Sequence, residues 1–143
     1  MYHYIPYNCK YINFMDANTI KVYFDGNCGL CSKEISYYKK IDKINTFDWV
    51  NIYNDDTDLK KFGITKSEAL MELHALDKDG KMHKGVDCFI LIWKNLSLFW
   101  PILGIVVSFF PVYITAKFVY KKFAIHRFNK LGYCNIKPTN LSK

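Results

Sequence analysis

The stretch TIKVYFDGNCGLCSKEISYYKKIDKI, residues 19–44, changes hydrophobic period half-way along. Its first six residues are an apolar run of β-branched and aromatic side chains that stops at Asp25-Gly26, a turn signal, and reads as a buried strand. From Cys28 the apolar residues recur as Leu30, Ile35, Tyr38, Ile41 and Ile44 with Lys and Glu between them. That near-helical spacing predicts a helix from about Cys28 to about Asp42. Cys28 and Cys31, spaced C-x-x-C, stand where strand gives way to helix.

Moving outward, FDWVNIY (47–53) alternates apolar and polar residues and predicts a second strand. NDDTDLKKFGI places acids ahead of Leu59 and Phe62 and a stop at Gly63, so one or two helical turns are expected. MELHALDKDGKMHKG predicts two strands, Met71 to Leu76 and Lys81 to Lys84, joined by the Asp79-Gly80 turn. VDCFILIWKNL returns to a helical pattern from Val86. This order puts a mixed sheet between helices, an α/β fold. Pro101 and Pro111 then suit the first turns of two further helices, about 101–110 and 111–129. The expected organisation is an N-terminal arm (1–18), a core (19–95), a C-terminal helical subdomain (96–130) and a basic tail (131–143).

At 143 residues, half of them hydrophobic and 17% aromatic, the chain can bury a core without disulfide staples or a metal. This composition excludes a disordered chain, a collagen-like repeat and a miniature disulfide scaffold. Five cysteines are too few for a disulfide framework, and an odd number leaves one unpaired within the chain. The opening MYHYIPYNCKYINF lacks a basic flank and an unbroken apolar run, so no export signal is expected, and Met15 is a second candidate start. A reducing, cytoplasmic setting is the resulting expectation. Charge is uneven: residues 1 to 87 hold twelve Lys/Arg against thirteen acids, whereas Cys88 to Lys143 hold eight Lys/Arg and no acid. The same basic region contains the longest uncharged stretch, Asn95 to Ala116.

At a helix N-terminus, free N–H groups and the positive end of the macrodipole favour a thiolate and lower a cysteine pKa from ~8.5 into the ~3.5–7.5 range. Cys28 is then the better nucleophile. Cys31, one turn on, lies near enough to attack a mixed disulfide on Cys28 and release its partner. The alternative is half of a structural zinc site, which needs two more ligands. Cys9, Cys88 and Cys134 are isolated, and His3, His74, His83 and His126 form no ligand pair at short spacing. A merely packed pair is the third reading.

VYFDGNCGLC resembles the DCC family of thiol-disulfide oxidoreductases, with its D-x-x-C-x-x-C motif. LDKDGKMHKGVDCF is similar to the family's hairpin segment, and Tyr120, Ala124 and Arg127 match its Y-x-x-x-A-x-x-R pattern. The resemblance implies a thioredoxin-like fold in which Cys28 attacks and Cys31 resolves, and it establishes no substrate. The function expected from residues and resemblance together is disulfide exchange with a protein or small-molecule thiol, with no bound cofactor or metal. Two features of thioredoxins proper are missing: a Trp before the first cysteine, and a Pro between Phe62 and the strand at Met71.

Asp25 has two readings, proton exchange with Cys31 or a turn and cap acceptor. Gly26 and Gly29 are read as serving backbone geometry and close approach by a substrate chain. Tyr120, Ala124 and Arg127 share a helix face, and Arg127 is expected to pair with a carboxylate of the core or to steer an anionic partner. Cys88 is expected to pack as a small apolar residue. His74 and His83 sit on the two hairpin strands, where they could face each other, but surface or satisfied histidines are the commoner reading. LSLFWPILGIVVSFFPVYI leaves three options: helices packed on the sheet, a membrane-surface hairpin aided by basic residues, or a span. Its two prolines break it into helices too short to cross ~30 Å of hydrocarbon. A membrane-associated interaction protein therefore stands as the rival function beside the zinc module. Nucleic-acid binding is not expected, because the basic residues form no recognisable motif.

Overall fold

β1, Ile20–Phe24, lies inside a four-stranded sheet in the computed structural model, which describes residues 19–133. The sheet order is β2-β1-β3-β4, with β2 Phe47–Asn51, β3 His74–Leu76 and β4 Met82–Lys84. β1 pairs with β2 in parallel, Val22 opposite Trp49, and with β3 antiparallel, Val22 opposite Ala75. The parallel pair needs a crossover, and α1, Gly29–Ile41, supplies it. Six helices flank the sheet: after α1 come α2 Thr57–Lys61, α3 Lys66–Met71, α4 Val86–Asn95, α5 Trp100–Ser108 and α6 Phe110–Lys130. This is the mixed α/β architecture expected of a thioredoxin-like chain.

The alternation of β1 builds two cores. Ile20 and Val22 point to one face, where they join Ile35 and Tyr38 of α1 and Cys88, Ile92 and Leu96 from α4 and its end. Tyr23 points to the other, against Leu59, Leu70 and Phe128 of α2, α3 and α6. Because both faces are covered, β1 is apolar except at Lys21, whose ammonium meets Asp58 at 3.2 Å. On the first face Tyr38 anchors an aromatic cluster: its O–H donates to Glu34 at 2.7 Å and accepts from the Trp93 indole at 2.9 Å. Its ring stacks on Trp49 and meets Trp100 edge-on.

One expectation needs correction and one possibility is not realised. Met71 does not begin a strand: it ends α3, which Thr65 caps by accepting the Glu68 N–H at 3.2 Å while Glu68 returns to the Thr65 N–H at 2.8 Å. This reciprocal cap stabilises a helix where strand propensity alone had suggested β structure. His74 and His83 do not face each other, because the hairpin register sets His74 opposite Lys84 and Ala75 opposite His83. His74 is buried against the Glu72 carbonyl at 2.9 Å, whereas His83 meets Asp77 at 2.6 Å. Cys9, Cys134 and the arm lie outside the described residues.

Candidate active site

The sharp exit from β1 is built by Asp25 and Gly26. The Asp25 carbonyl accepts the Cys28 N–H at 3.3 Å, and its Oδ1 accepts the Asn27 N–H at 3.0 Å. A Cβ on Gly26 would stand 2.2 Å from Asn51 Nδ2, so a larger residue there would have to displace the Asn51 amide, whose Oδ1 accepts the Tyr53 N–H at 3.1 Å. Gly29 differs: no atom lies within 4 Å of where its Cβ would sit, so no packing within the chain dictates that glycine. Ser32 secures the loop from within α1, its hydroxyl donating to the Gly26 carbonyl at 3.0 Å.

Cys28 is the N-cap of α1, with extended backbone (φ −82°, ψ 109°), and its Sγ accepts the Cys31 N–H at 3.3 Å. A sulfur thus occupies the place where Ser or Asp oxygens commonly satisfy a helix's first N–H groups. Negative charge on that sulfur is favoured by the N–H and by the helix dipole.

α6 completes the site from the far end of the chain. The Arg127 guanidinium donates to Cys31 Sγ at 3.2 Å, to the Met71 carbonyl at 3.0 Å and to the Leu70 carbonyl. It also stands 3.6 Å from Asp25 Oδ2, in a pair almost wholly shielded from water. The last carbonyls of α3 therefore orient a fixed cation over the second thiol. The expected pairing of Arg127 with a core carboxylate is present, and the contact with sulfur adds to it. One turn N-terminal, Ala124 is buried, and the Tyr120 hydroxyl accepts the Leu73 N–H at 3.1 Å. Sequence reasoning missed Tyr133, whose O–H donates to Asp25 Oδ2 at 2.8 Å. It also missed the α3 carbonyls; the Thr65-x-x-Glu68 pattern was the available signal for that helix.

These contacts drive the two thiols apart. Burial pushes Cys28 up, but hydrogen bonds from the Cys31 side chain and backbone, then from Arg127, outweigh it and hold the thiol below its ordinary value. Burial and the proton shared with Cys28 push Cys31 up to about 12, against the pull of Arg127. Access runs the other way. Cys28 is only 2% exposed, whereas Cys31 lines a cleft of about 60 Å³ with Leu30, Leu73, Phe89, Tyr120 and Phe123. That is well short of the ~300 Å³ at which sites for whole small molecules begin. A single side chain is the size of group that fits. Cys88 stands apart in the core, where burial raises its thiol. Among the described residues no three His, Cys, Asp or Glu side chains gather as metal ligands.

Comparison with known proteins follows the same residues. An uncharacterized chloroplastic protein of Arabidopsis thaliana is 29% identical over 115 residues, covering 79% of this chain and 53% of the relative. The chain thus spans about half the length of that curated relative. No solved structure matches. The family model for DCC1-like thiol-disulfide oxidoreductase matches residues 22–133, a range that runs from β1 through the dithiol to Arg127 and Tyr133. The chain belongs to the DCC1-like thiol-disulfide oxidoreductase family.

Proposed function

We propose that the protein exchanges disulfides through Cys28 as nucleophile and Cys31 as resolving thiol. The observation that carries this reading is the opposite displacement of two thiols on one helical turn, with Arg127 held against the second. In the reducing direction the Cys28 thiolate attacks one sulfur of a substrate disulfide. A mixed disulfide forms, and the other substrate sulfur leaves as a thiolate that takes a proton from water. Cys31 then loses its proton and attacks Cys28 Sγ, closing the internal disulfide and releasing the second substrate thiol. Two electrons pass from the dithiol to the substrate, and the reverse sequence oxidises a substrate dithiol.

The second step needs a thiolate on Cys31, which burial and the proton shared with Cys28 disfavour in the resting dithiol. Once Cys28 is in a mixed disulfide it no longer shares a proton with Cys31. The guanidinium at 3.2 Å then favours the Cys31 thiolate. Arg127 is a positioning residue for resolution. Asp25 fixes the turn through Oδ1 and faces Arg127 and Tyr133 through Oδ2, which supports its structural reading. The side-chain-sized cleft favours a protein disulfide as substrate.

Greater access to Cys31 favours a second assignment in which Cys31 attacks first. The two are separated by trapping. With a protein disulfide substrate, Cys31→Ser accumulates a mixed disulfide on Cys28, and Cys28→Ser accumulates none. Accumulation on Cys31 in the Cys28→Ser variant instead would exchange the roles.

A further inference from the structure

We propose that the elbow joining α5 to α6 is a docking surface for an anionic lipid membrane, entered by Phe99, Ile102, Val106, Phe109, Phe110 and Ile114. Each of these side chains is at least half exposed, and Phe110 reaches 74%. The inward sides of the two helices are already occupied. α5 seats Gly104 on α4, so closely that a Cβ there would stand 2.9 Å from Lys94 Cγ. α6 turns Tyr113, Tyr120, Ala124 and Phe128 inward, the Tyr113 hydroxyl donating to Asp87 at 2.7 Å. What remains outside is a set of exposed apolar side chains on both helices around the elbow, and large exposed apolar surface marks an interaction site.

Charge chooses the occupant. No carboxylate follows Asp87 in the chain, and exposed Lys121 and Lys122 stand about 17 Å beyond the elbow along α6. A second copy would bring two basic surfaces together. Residues 1–18 contain one Lys and one acid, which gives them no charge to match. An anionic bilayer supplies both an apolar interior for the elbow and negative headgroups for the lysines, whose stems can extend toward them. Docking is peripheral. No single described helix is long and apolar enough to cross a membrane, and α5 and α6 together pass that test only with a 96° bend between them. α5, at nine residues, reaches only about 14 Å. An apolar elbow entering ~5–10 Å at the headgroup boundary fits this shape. Since α6 also carries Arg127, a docked elbow would lie about 25 Å along the helix from the dithiol.

The test is co-sedimentation of the full chain with vesicles of phosphatidylcholine, with and without phosphatidylglycerol, over a range of salt. Binding should be at least about tenfold tighter to the anionic vesicles and weaken as salt rises. Phe109→Ser with Phe110→Ser should lose at least about tenfold on both vesicle types. Lys121→Glu with Lys122→Glu should remove the preference for anionic lipid. All four side chains are exposed, so unchanged circular dichroism and unchanged Cys28 alkylation verify the fold. Failure to sediment with either vesicle would overturn the proposal, as would binding that neither pair of substitutions alters. So would a lipid-free dimer joined through the elbow, or an elbow that cross-links to residues 1–18.

Discussion

At Cys28 and Cys31 the same side chain acquires two acidities from positions three residues apart. Cys28 receives a backbone N–H and the charge of Arg127, while Cys31 carries the proton between them. The rate of Cys28 alkylation should therefore rise with pH around a midpoint below the ~8.5 of a free cysteine. Arg127→Met should move that midpoint upward, because it removes a cation that favours the thiolate. Arg127→Lys should restore part of the shift but not all, since a single ammonium cannot satisfy the sulfur and two carbonyls at once. A Cys28 midpoint indifferent to both substitutions would remove Arg127 from the chemistry. These residues differ in how readily sequence reveals them. Asp25, Cys28 and Cys31 are legible because they sit together in one short motif at the strand-to-helix turn. The contact of Arg127 with Cys31 spans 96 residues and that of Tyr133 with Asp25 spans 108, so periodicity carries no trace of them.

The site also depends on short elements that hold these groups in place. α3 is six residues long, too short to persist without its cap, and its last carbonyls orient Arg127. Thr65→Ala should cost ~0.5–2 kcal/mol, seen as a melting temperature lower by about 2–6 °C. A retained melting temperature would show that the cap is dispensable. Gly85, the N-cap of α4, has φ +59° and ψ −129°, and a Cβ there would approach Tyr120 Cε1 at 3.3 Å. Gly85→Ala should cost at least about 1–3 kcal/mol in denaturant unfolding, since backbone strain and the aromatic contact act together. The β1–α1 junction was legible because the change of period is abrupt and the turn residues agree with it. α3 was not, because a capping box followed by so few residues gives no periodic stretch to recognise. The hairpin was placed correctly by Asp79-Gly80, but the facing of its histidines depended on a register that sequence does not print.

Across the whole molecule, β1 divides two cores, and α6 reaches back to the dithiol at the start of α1. The resulting burial has a pH signature. Burial holds the His74 pKa below its ordinary value, so between the unfolded ~6.5 and that lower folded value the unfolded chain binds a proton the folded chain does not. Stability should therefore fall as pH drops through this window, and His74→Gln should flatten the dependence in urea titrations at pH 7 and pH 5. An unchanged slope would place the acid sensitivity elsewhere. The order of elements and the mixed sheet followed from composition and period, whereas the apolar stretch after Asn95 remained open among packing, surface docking and spanning. Its exposed elbow is a tertiary outcome, set by which side of each helix finds a neighbour.

Whether Cys28 and Cys31 form a reversible redox pair decides the assignment of this dithiol. Equilibrating the full chain in graded glutathione buffers, quenching by alkylation and counting labels per cysteine by mass spectrometry tests it most directly. One two-electron transition is expected, in which Cys28 and Cys31 lose their labels together while Cys88 keeps the same redox state throughout. Thiols that stay reduced across the whole range, or that resist alkylation in a protein carrying stoichiometric zinc, would contradict it.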